Sequence, residues 1–433
     1  MLGKLNPDSK EVTVVGAGIS GLLAAYYLDR SGYKVHLIEA ENRAGGLIST
    51  QTTSFGIAEA AAHSFPASPT LVELCKDLNV ELCFLRPEAK ARWIFRDGKP
   101  RRFPLEVFEA IRTFFRAYFV LAPARDPETL TLEDWARRFL GESALRYLLN
   151  PFVRGIYGTE PREISVSAAF PALCVPRGHS LLSFILAKKW RKNPPSAVKR
   201  RVQPMPRGII AAPRNGMQAL TQALEARLSE RLGGRFVRRS RVQSLSEITV
   251  HGNLVLCVPA GEASRLLASE SPELSTALSQ VSYSPLTTAT LFVENTAFKK
   301  LPHGLGVLIP QAEHRKSLGI LYNSSAFENR VVKPDVTSLT MMLDSSIEES
   351  QLANVIQAEL SEVLHTKSPP LETFIRRWER AVPKYNAHLL KMWTLAEQTW
   401  CAVPGKILFG NYTGQVSIRG MAELAKRTFS CTD

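Results

Sequence analysis

Three glycines and one acid near the amino terminus are the residues whose types and spacing best suit chemistry. Val12-Thr-Val-Val15 is a short apolar run, followed by Gly16-Ala17-Gly18-Ile19-Ser20-Gly21 and then the helical pattern Leu22 to Leu28. Strand, tight turn and helix in so few residues aim the free N–H groups of a helix start at phosphate oxygens. Gly16 permits the turn, Gly18 lets backbone approach a diphosphate, and Gly21 lets helix and strand pack closely. The glycine pattern alone is weak. Here Lys34-Val-His-Leu-Ile-Glu39 supplies a second strand ending in a carboxylate about twenty residues on, where it can accept hydrogen bonds from ribose hydroxyls. The spacing predicts a dinucleotide site.

The elements that position such a site need more than one core. A chain of 433 residues exceeds what one core usually supports, so two or three domains are expected. Hydrophobic content of 45% with 22% charged residues is ordinary globular composition, which excludes collagen-like and low-complexity classes. Cys75, Cys83, Cys174, Cys257, Cys401 and Cys431 show no CxxC pair or metal-ligand spacing, so reduced thiols and no metal are expected. The start of the chain has no signal or transit pattern, and no apolar stretch reaches the ~18 residues of a membrane span. A soluble or peripheral protein is expected. A net charge of +14 favours acidic partners. No nucleic-acid motif accompanies it, so no nucleic-acid partner is expected. Part of the charge sits in Lys188-Lys-Trp-Arg-Lys-Asn-Pro-Pro and Lys199-Arg-Arg, and Arg101-Arg102 precede the stretch Phe103 to Pro123. That stretch, with Leu105, Val107, Phe108, Ile111, Phe114, Phe115, Tyr118 and Phe119 interrupted by Arg112 and Arg116, reads as a helix with a broad aromatic face. Two readings stay open for it: a membrane-surface helix or an interior one.

Glu39-Ala-Glu-Asn-Arg43-Ala-Gly45-Gly46-Leu47 resembles the second fingerprint of the flavin amine oxidase superfamily, which implies FAD, held non-covalently, rather than NAD. Adjacent glycines let backbone pass close to the cofactor, and an Arg can offset diphosphate charge. Four further blocks resemble the protoporphyrinogen/coproporphyrinogen oxidases of haem synthesis. They are Leu132-Glu-Asp-Trp with Phe152-Val-Arg154-Gly155-Ile-Tyr157-Gly158; the strands Leu305-Gly-Val-Leu308, Leu318 to Phe327 and Met341-Met342-Leu; Arg377-Trp378 to His388; and Leu408-Phe-Gly410-Asn411 through Val416-Ser417-Ile418. Together they span nearly the whole chain and lie closest to the protoporphyrinogen branch. The resemblance implies an α/β fold, α+β overall, with a Rossmann-like FAD-binding domain, an antiparallel-sheet substrate domain and a helical membrane-facing insertion. Expected bounds are 1–60, 205–265 and 395–433 for the FAD domain, 61–84 and 266–394 for the substrate domain, and 85–204 for the insertion.

The same resemblance implies six-electron oxidation of a porphyrinogen, with hydride passing to flavin N5 and dioxygen reoxidising the flavin to give hydrogen peroxide. Such chemistry rests on the cofactor. The chain has no Ser-His-Asp order and no recognisable pair of carboxylates, so no catalytic side chain is expected. Arg92 matches a propionate-pairing position. Gly155, Leu305, Leu308, Leu321 and Met342 match positions around the macrocycle, Val242 the residue whose backbone meets adenine, and Asn411 with Val416 to Ile418 the isoalloxazine contacts. Trp378, His63 and Ser64 complete the flavin neighbourhood. Implied partners are the porphyrinogen, dioxygen and an anionic membrane surface, with a ferrochelatase and a second copy of the chain as candidates. The implied location is cytoplasmic, peripheral on the inner face of the cell membrane.

Several positions depart from the family pattern. Glu59-Ala-Ala61-Ala62-His63-Ser64-Phe65 stands where Glu-x-Gly-Pro-Asn-Ser-Phe is usual, Gln415 and Asp344-Ser345 replace glycines, and the link from Arg241 to Leu254 is short. Four alternatives stay open: a coproporphyrinogen oxidase, a carotenoid desaturase, an amine oxidase, and a porphyrin-binding homologue with reduced turnover. The amine oxidase is disfavoured because Tyr283-Ser-Pro-Leu-Thr-Thr-Ala-Thr-Leu-Phe lacks the Lys that such enzymes place near the flavin.

Overall fold

A computed structural model describes residues 2–122, 130–191 and 209–430. Cys431 and the basic run Lys199-Arg-Arg lie outside the described residues, as do the side chains of Lys188 to Arg191.

The first apolar run forms the strand Glu11–Val15, at the centre of a five-stranded sheet. Lys34–Ile38 and Phe236–Val237 lie on one side of it, Asn253–Leu256 and Lys406–Leu408 on the other, and every pairing is parallel. A parallel sheet must be covered on both faces. The helices Ile19–Arg30, Gln218–Leu232 and Ile418–Phe429 contribute Leu22, Leu23, Leu224, Leu228, Ala422 and Phe429 to one core; Ala260–Leu267 and Ala387–Gln398 contribute Leu266, Leu267, Leu389 and Met392 to another. This is the expected Rossmann-like unit, assembled from distant segments. The short link within it carries no strand, only a turn of 3-10 helix at Leu245–Glu247.

A second sheet of seven strands runs in the order Glu372–Pro383, Tyr283–Glu294, Val336–Leu343, Ser317–Leu321, Gly306–Leu308, Arg92–Arg96, Lys99–Arg101. Its pairings are antiparallel except between Gly306–Leu308 and Arg92–Arg96, so the sheet is mixed. Alternation decides its faces. Ala289, Leu291, Val307, Ile320, Met341 and Leu343 point into a core shared with the helix Leu352–Leu364. Their neighbours Leu308, Leu321 and Met342 therefore point the other way.

Two domain bounds differ from expectation. Residues 61–84 are expected in the substrate domain, yet Phe65, Leu71, Leu74, Cys75 and Cys83 pack into the core of the nucleotide domain. The reason is pairing at long range: Phe65–Pro66 and Leu82–Phe84 flank the strand Ile210–Pro213. Likewise Arg92–Arg96 and Lys99–Arg101 belong to the seven-stranded sheet, so the helical insertion begins with Val107–Phe119 rather than at residue 85. Its own core gathers Leu132, Trp135, Phe139, Val153, Tyr157 and Ile164. Among the described residues no helix is long and apolar enough to cross a membrane.

Candidate functional site

The three turn glycines do separate work. Gly16 has φ of +96°, and its N–H donates to the Ile38 carbonyl at 2.8 Å, which ties the turn to the second strand. A Cβ on Gly21 would stand 1.8 Å from the Gly16 carbonyl oxygen, so helix Ile19–Arg30 reaches the strand only because that atom is missing. At Gly18 a Cβ would meet nothing within 4 Å: this position faces open space. Gly18 is also the helix N-cap and offers no side-chain acceptor, so the first-turn N–H groups of Ile19 and Ser20 are left for an anion. The second fingerprint docks on the first. Gly45 N–H donates to the Ala17 carbonyl at 2.8 Å, and a Cβ on Gly46 would lie 3.2 Å from the Gly18 Cα. Glu39 receives the Ala17 N–H at 2.6 Å and the Glu41 N–H at 2.9 Å, which fixes its carboxylate at the strand end. This cradle fits the diphosphate and ribose of FAD.

Arg43 serves the loop more than the anion. Its guanidinium donates to the carbonyls of Ala44, Gly46 and Ile48 at 3.0, 2.8 and 2.8 Å, clamping the turn whose glycines have positive φ. Leu47 is exposed at the tip. Val242 is buried, and its carbonyl accepts from Arg265 at 2.7 Å. At the far end, Ser417 caps the helix Ile418–Phe429 by accepting the Gly420 N–H at 3.0 Å, and the Asn411 carbonyl accepts the Tyr385 hydroxyl at 2.5 Å. Gln415, where the family has glycine, lays its amide oxygen over the same helix start, 2.1 Å from where a Gly420 Cβ would stand. Half-buried Val416 packs between the second core and that of the helical insertion.

Of the expected substrate residues, Arg92, Leu308, Leu321 and Met342 fall on adjoining strands of the large sheet, Leu305 directly precedes one of them, and Gly155 lies on the helix Asn150–Tyr157. Gly306 is paired with Arg92 on one side and Leu321 on the other; Leu308 is opposite Gly319, which is opposite Met342. Leu305 and Leu321 share a recess with His63, Ser64, Glu59 and Arg330. Leu308 and Met342 sit one step along: a Cβ on Gly155 would meet the Leu308 methyl at 2.6 Å, so the helix Asn150–Tyr157 packs directly on this strand. Arg154 is held by Glu160 at 3.2 Å and supports that turn. Arg92 lies exposed at the end of the row.

The altered loop reaches this recess. The Trp378 ring N–H donates to the Ala60 carbonyl at 2.6 Å, tying the edge strand to the loop that carries His63. The His63 Nε2 is buried and has no hydrogen-bond partner among the described residues. Burial, foremost, and the Arg330 cation hold its imidazolium down to about 4. Glu59 and Arg330 form a buried pair at 3.4 Å, with Glu59 also accepting from the Thr50 hydroxyl at 2.7 Å and the Met217 N–H at 2.9 Å. Burial pushes the Glu59 carboxyl up and the Arg330 guanidinium down. Sequence reasoning missed Arg330, Tyr322 and Asn323. Asn323, which donates to Thr340 at 2.9 Å, lay inside a matched block, but nothing local marked Arg330.

One other titratable group stands apart from this site. Glu11, His36 and His251 bring their ligating atoms within 4.8 Å of one another. The two imidazoles stack at 3.9 Å with planes 18° apart, and Lys34 binds Glu11 at 2.8 Å. Imidazole lone pairs lie in the ring plane, so stacked rings do not converge on one ion.

A family model described as flavin containing amine oxidoreductase matches residues 19–425. The chloroplastic protoporphyrinogen oxidase of Nicotiana tabacum is 28% identical over 94% of this chain and 82% of its own length. The Homo sapiens protoporphyrinogen oxidase is 28% identical over 87% of this chain and 88% of its own. The crystal structure of a candidate protoporphyrinogen oxidase from Exiguobacterium sp. matches with a TM-score of 0.74 at 19% identity, covering 98% of both chains, which shows the shared fold.

Proposed function

Because the chain belongs to the flavin containing amine oxidoreductase family and is an FAD-dependent oxidoreductase, we propose that it oxidises protoporphyrinogen IX to protoporphyrin IX in three two-electron steps. The observation that carries this is the row of apolar side chains, Leu305, Leu308, Leu321 and Met342, on or beside the one sheet face that meets the recess with His63. Bound FAD supplies the hydride acceptor, with dioxygen taking the electrons on as hydrogen peroxide. Gly16, Gly18 and Gly21 cradle the diphosphate, Glu39 takes the ribose, and the Arg43 clamp keeps Gly45 and Gly46 close to the cofactor. The leucines exclude water from the macrocycle. Arg92, exposed at the end of the row, offers a bidentate partner to a propionate.

The membrane reading of the aromatic helix belongs to the same proposal. Val107, Phe108, Phe115 and Phe119 are exposed on Val107–Phe119, and of its residues only Ala117 is buried. An exposed patch of this kind suits a lipid surface, and an apolar product suits an enzyme seated there.

Anaerobic mixing of the FAD-loaded protein with protoporphyrinogen IX is expected to bleach the flavin absorption band, faster than with coproporphyrinogen III. A flavin that stays oxidised with the first would sink the proposal. Faster bleaching by the second would transfer it to the coproporphyrinogen reading.

A further inference from the structure

We propose that His63 takes up the proton that the substrate releases when its hydride departs, through the Nε2 that has no partner in the recess beside Leu305 and Leu321. The inference rests on the porphyrinogen reading above and assigns the proton that reading leaves without a destination.

Position comes first. His63 stands in a loop pinned at Ala60 by Trp378 and at Glu59 by the Thr50 hydroxyl and the Met217 N–H. His63 lines the same recess as two of the residues expected around the macrocycle. A buried ring nitrogen without a partner costs stability, and such groups persist where a ligand or reacting atom completes them.

Charge state comes second. The titratable and charged groups around the recess are Glu59 and Arg330, which pair with each other, and the Tyr322 phenol, which burial pushes up. No carboxylate there is free to stabilise an imidazolium. The ring is therefore neutral near pH 7, one nitrogen an acceptor.

Each two-electron step breaks a C–H bond at a methylene bridge, and the hydride carries its electron pair to the flavin. The conjugated ring left behind is cationic, so its pyrrole N–H becomes strongly acidic. In two of the three steps that N–H bond breaks, its electrons complete the new C=N bond, and the proton forms a bond to Nε2; in the remaining step the proton comes from the fourth methylene bridge, whose C–H electrons complete the conjugation, so that four bridge hydrogens and two N–H hydrogens leave in all. A weakly basic imidazole suffices for so acidic a donor, and it passes the proton on readily. Reoxidation by dioxygen to hydrogen peroxide consumes one proton, which closes the balance.

The test uses the FAD-loaded full chain as wild type, His63→Leu and His63→Gln, the second variant guarding against a folding defect in the first. One readout is independent of turnover: with histidine labelled by nitrogen-15, adding the product protoporphyrin IX is expected to shift one imidazole resonance that both variants lack. The other is anaerobic flavin bleaching by protoporphyrinogen between pH 6 and 9. The wild-type rate is expected to stay flat, and the variants to fall by roughly 10²-fold with a rate that rises with hydroxide. Dithionite should reduce all three alike. Variants with the wild-type rate and profile, or no histidine resonance that moves with porphyrin, overturn the role of His63 while leaving the substrate standing. A wild type that is never bleached removes the substrate reading and this role with it.

Discussion

A methyl group added at Gly21 would sit 1.8 Å from the Gly16 carbonyl oxygen, whereas one added at Gly18 would touch nothing within 4 Å. Two substitutions in one turn should therefore part company. Gly21→Ala is expected to destabilise the protein even without FAD, by on the order of 1–3 kcal/mol or more, because backbone must move to relieve the overlap. Gly18→Ala should leave the melting temperature of the FAD-free protein unchanged and weaken FAD binding, since its methyl enters the space the diphosphate needs. Thermal melts with and without FAD separate the two; equal behaviour would contradict the division of labour. Arg92→Ala should raise KM for protoporphyrinogen by roughly tenfold to a hundredfold with kcat little changed, the loss of a charge-assisted contact of about 1.5–3 kcal/mol. A KM that does not move would make Arg92 a solvated strand residue. The glycine turn and Glu39 were readable in the sequence because turn geometry is local. Arg330 was not: its partner Glu59 is 271 positions away, and no periodicity links the two.

At the scale of elements, the aromatic helix is held to the large sheet by one buried cation. Arg96, 10% exposed, donates to Glu109 at 2.6 Å and to the Pro104 carbonyl at 2.5 Å, and its guanidinium lies 3.9 Å from the Tyr147 ring centre. Glu109 also closes the capping box with Glu106. The Arg96 hydrogen bond, above all, lowers the Glu109 carboxyl from 4.5 to about 2. Its folded value lies below its unfolded one, so the stabilisation is fully present above about pH 4.5 and is lost as pH falls from there through about 2. Hydrogen-exchange protection over 107–119, corrected for intrinsic rates, should fall across that window in the wild type. It should already be low at pH 7 in Glu109→Gln; protection equal in both proteins would remove the clamp from this account. The sequence showed that Phe103 to Pro123 holds a helix, and the spacing of its aromatic residues gave one face. It left open whether that face is covered, because burial depends on what packs against a helix rather than on the helix itself. The same limit applies to residues 61–84, whose strands pair with Ile210–Pro213 far along the chain.

For the whole molecule, the parallel sheet, the large mixed sheet and the helical insertion give each kind of contact its own region, and the aromatic helix is the exposed apolar part of the last. Beside it the helix Leu181–Arg191 exposes Ile185 and Leu186, which widens the patch. Two arginines, Arg112 and Arg116, interrupt the aromatic face. Arg116 is engaged, donating to the carbonyls of Arg137 and Arg138 at 2.7 and 3.0 Å, whereas Arg112 is exposed. With a net charge of +14, attraction to an anionic surface should act over the Debye length and weaken with salt, while aromatic insertion should persist. The FAD-loaded full chain is thus expected to sediment with vesicles containing anionic lipid and to be only partly released by 0.5 M salt, a condition under which the Debye length shrinks to roughly 4–5 Å. Phe108→Ser with Phe115→Ser should abolish the salt-resistant fraction, and Arg112→Glu should reduce the salt-sensitive one. Neither touches the core, so flavin content and melting temperature serve as controls. Binding unchanged in the double phenylalanine variant would mean that the exposed helix is not what holds the protein to the vesicles.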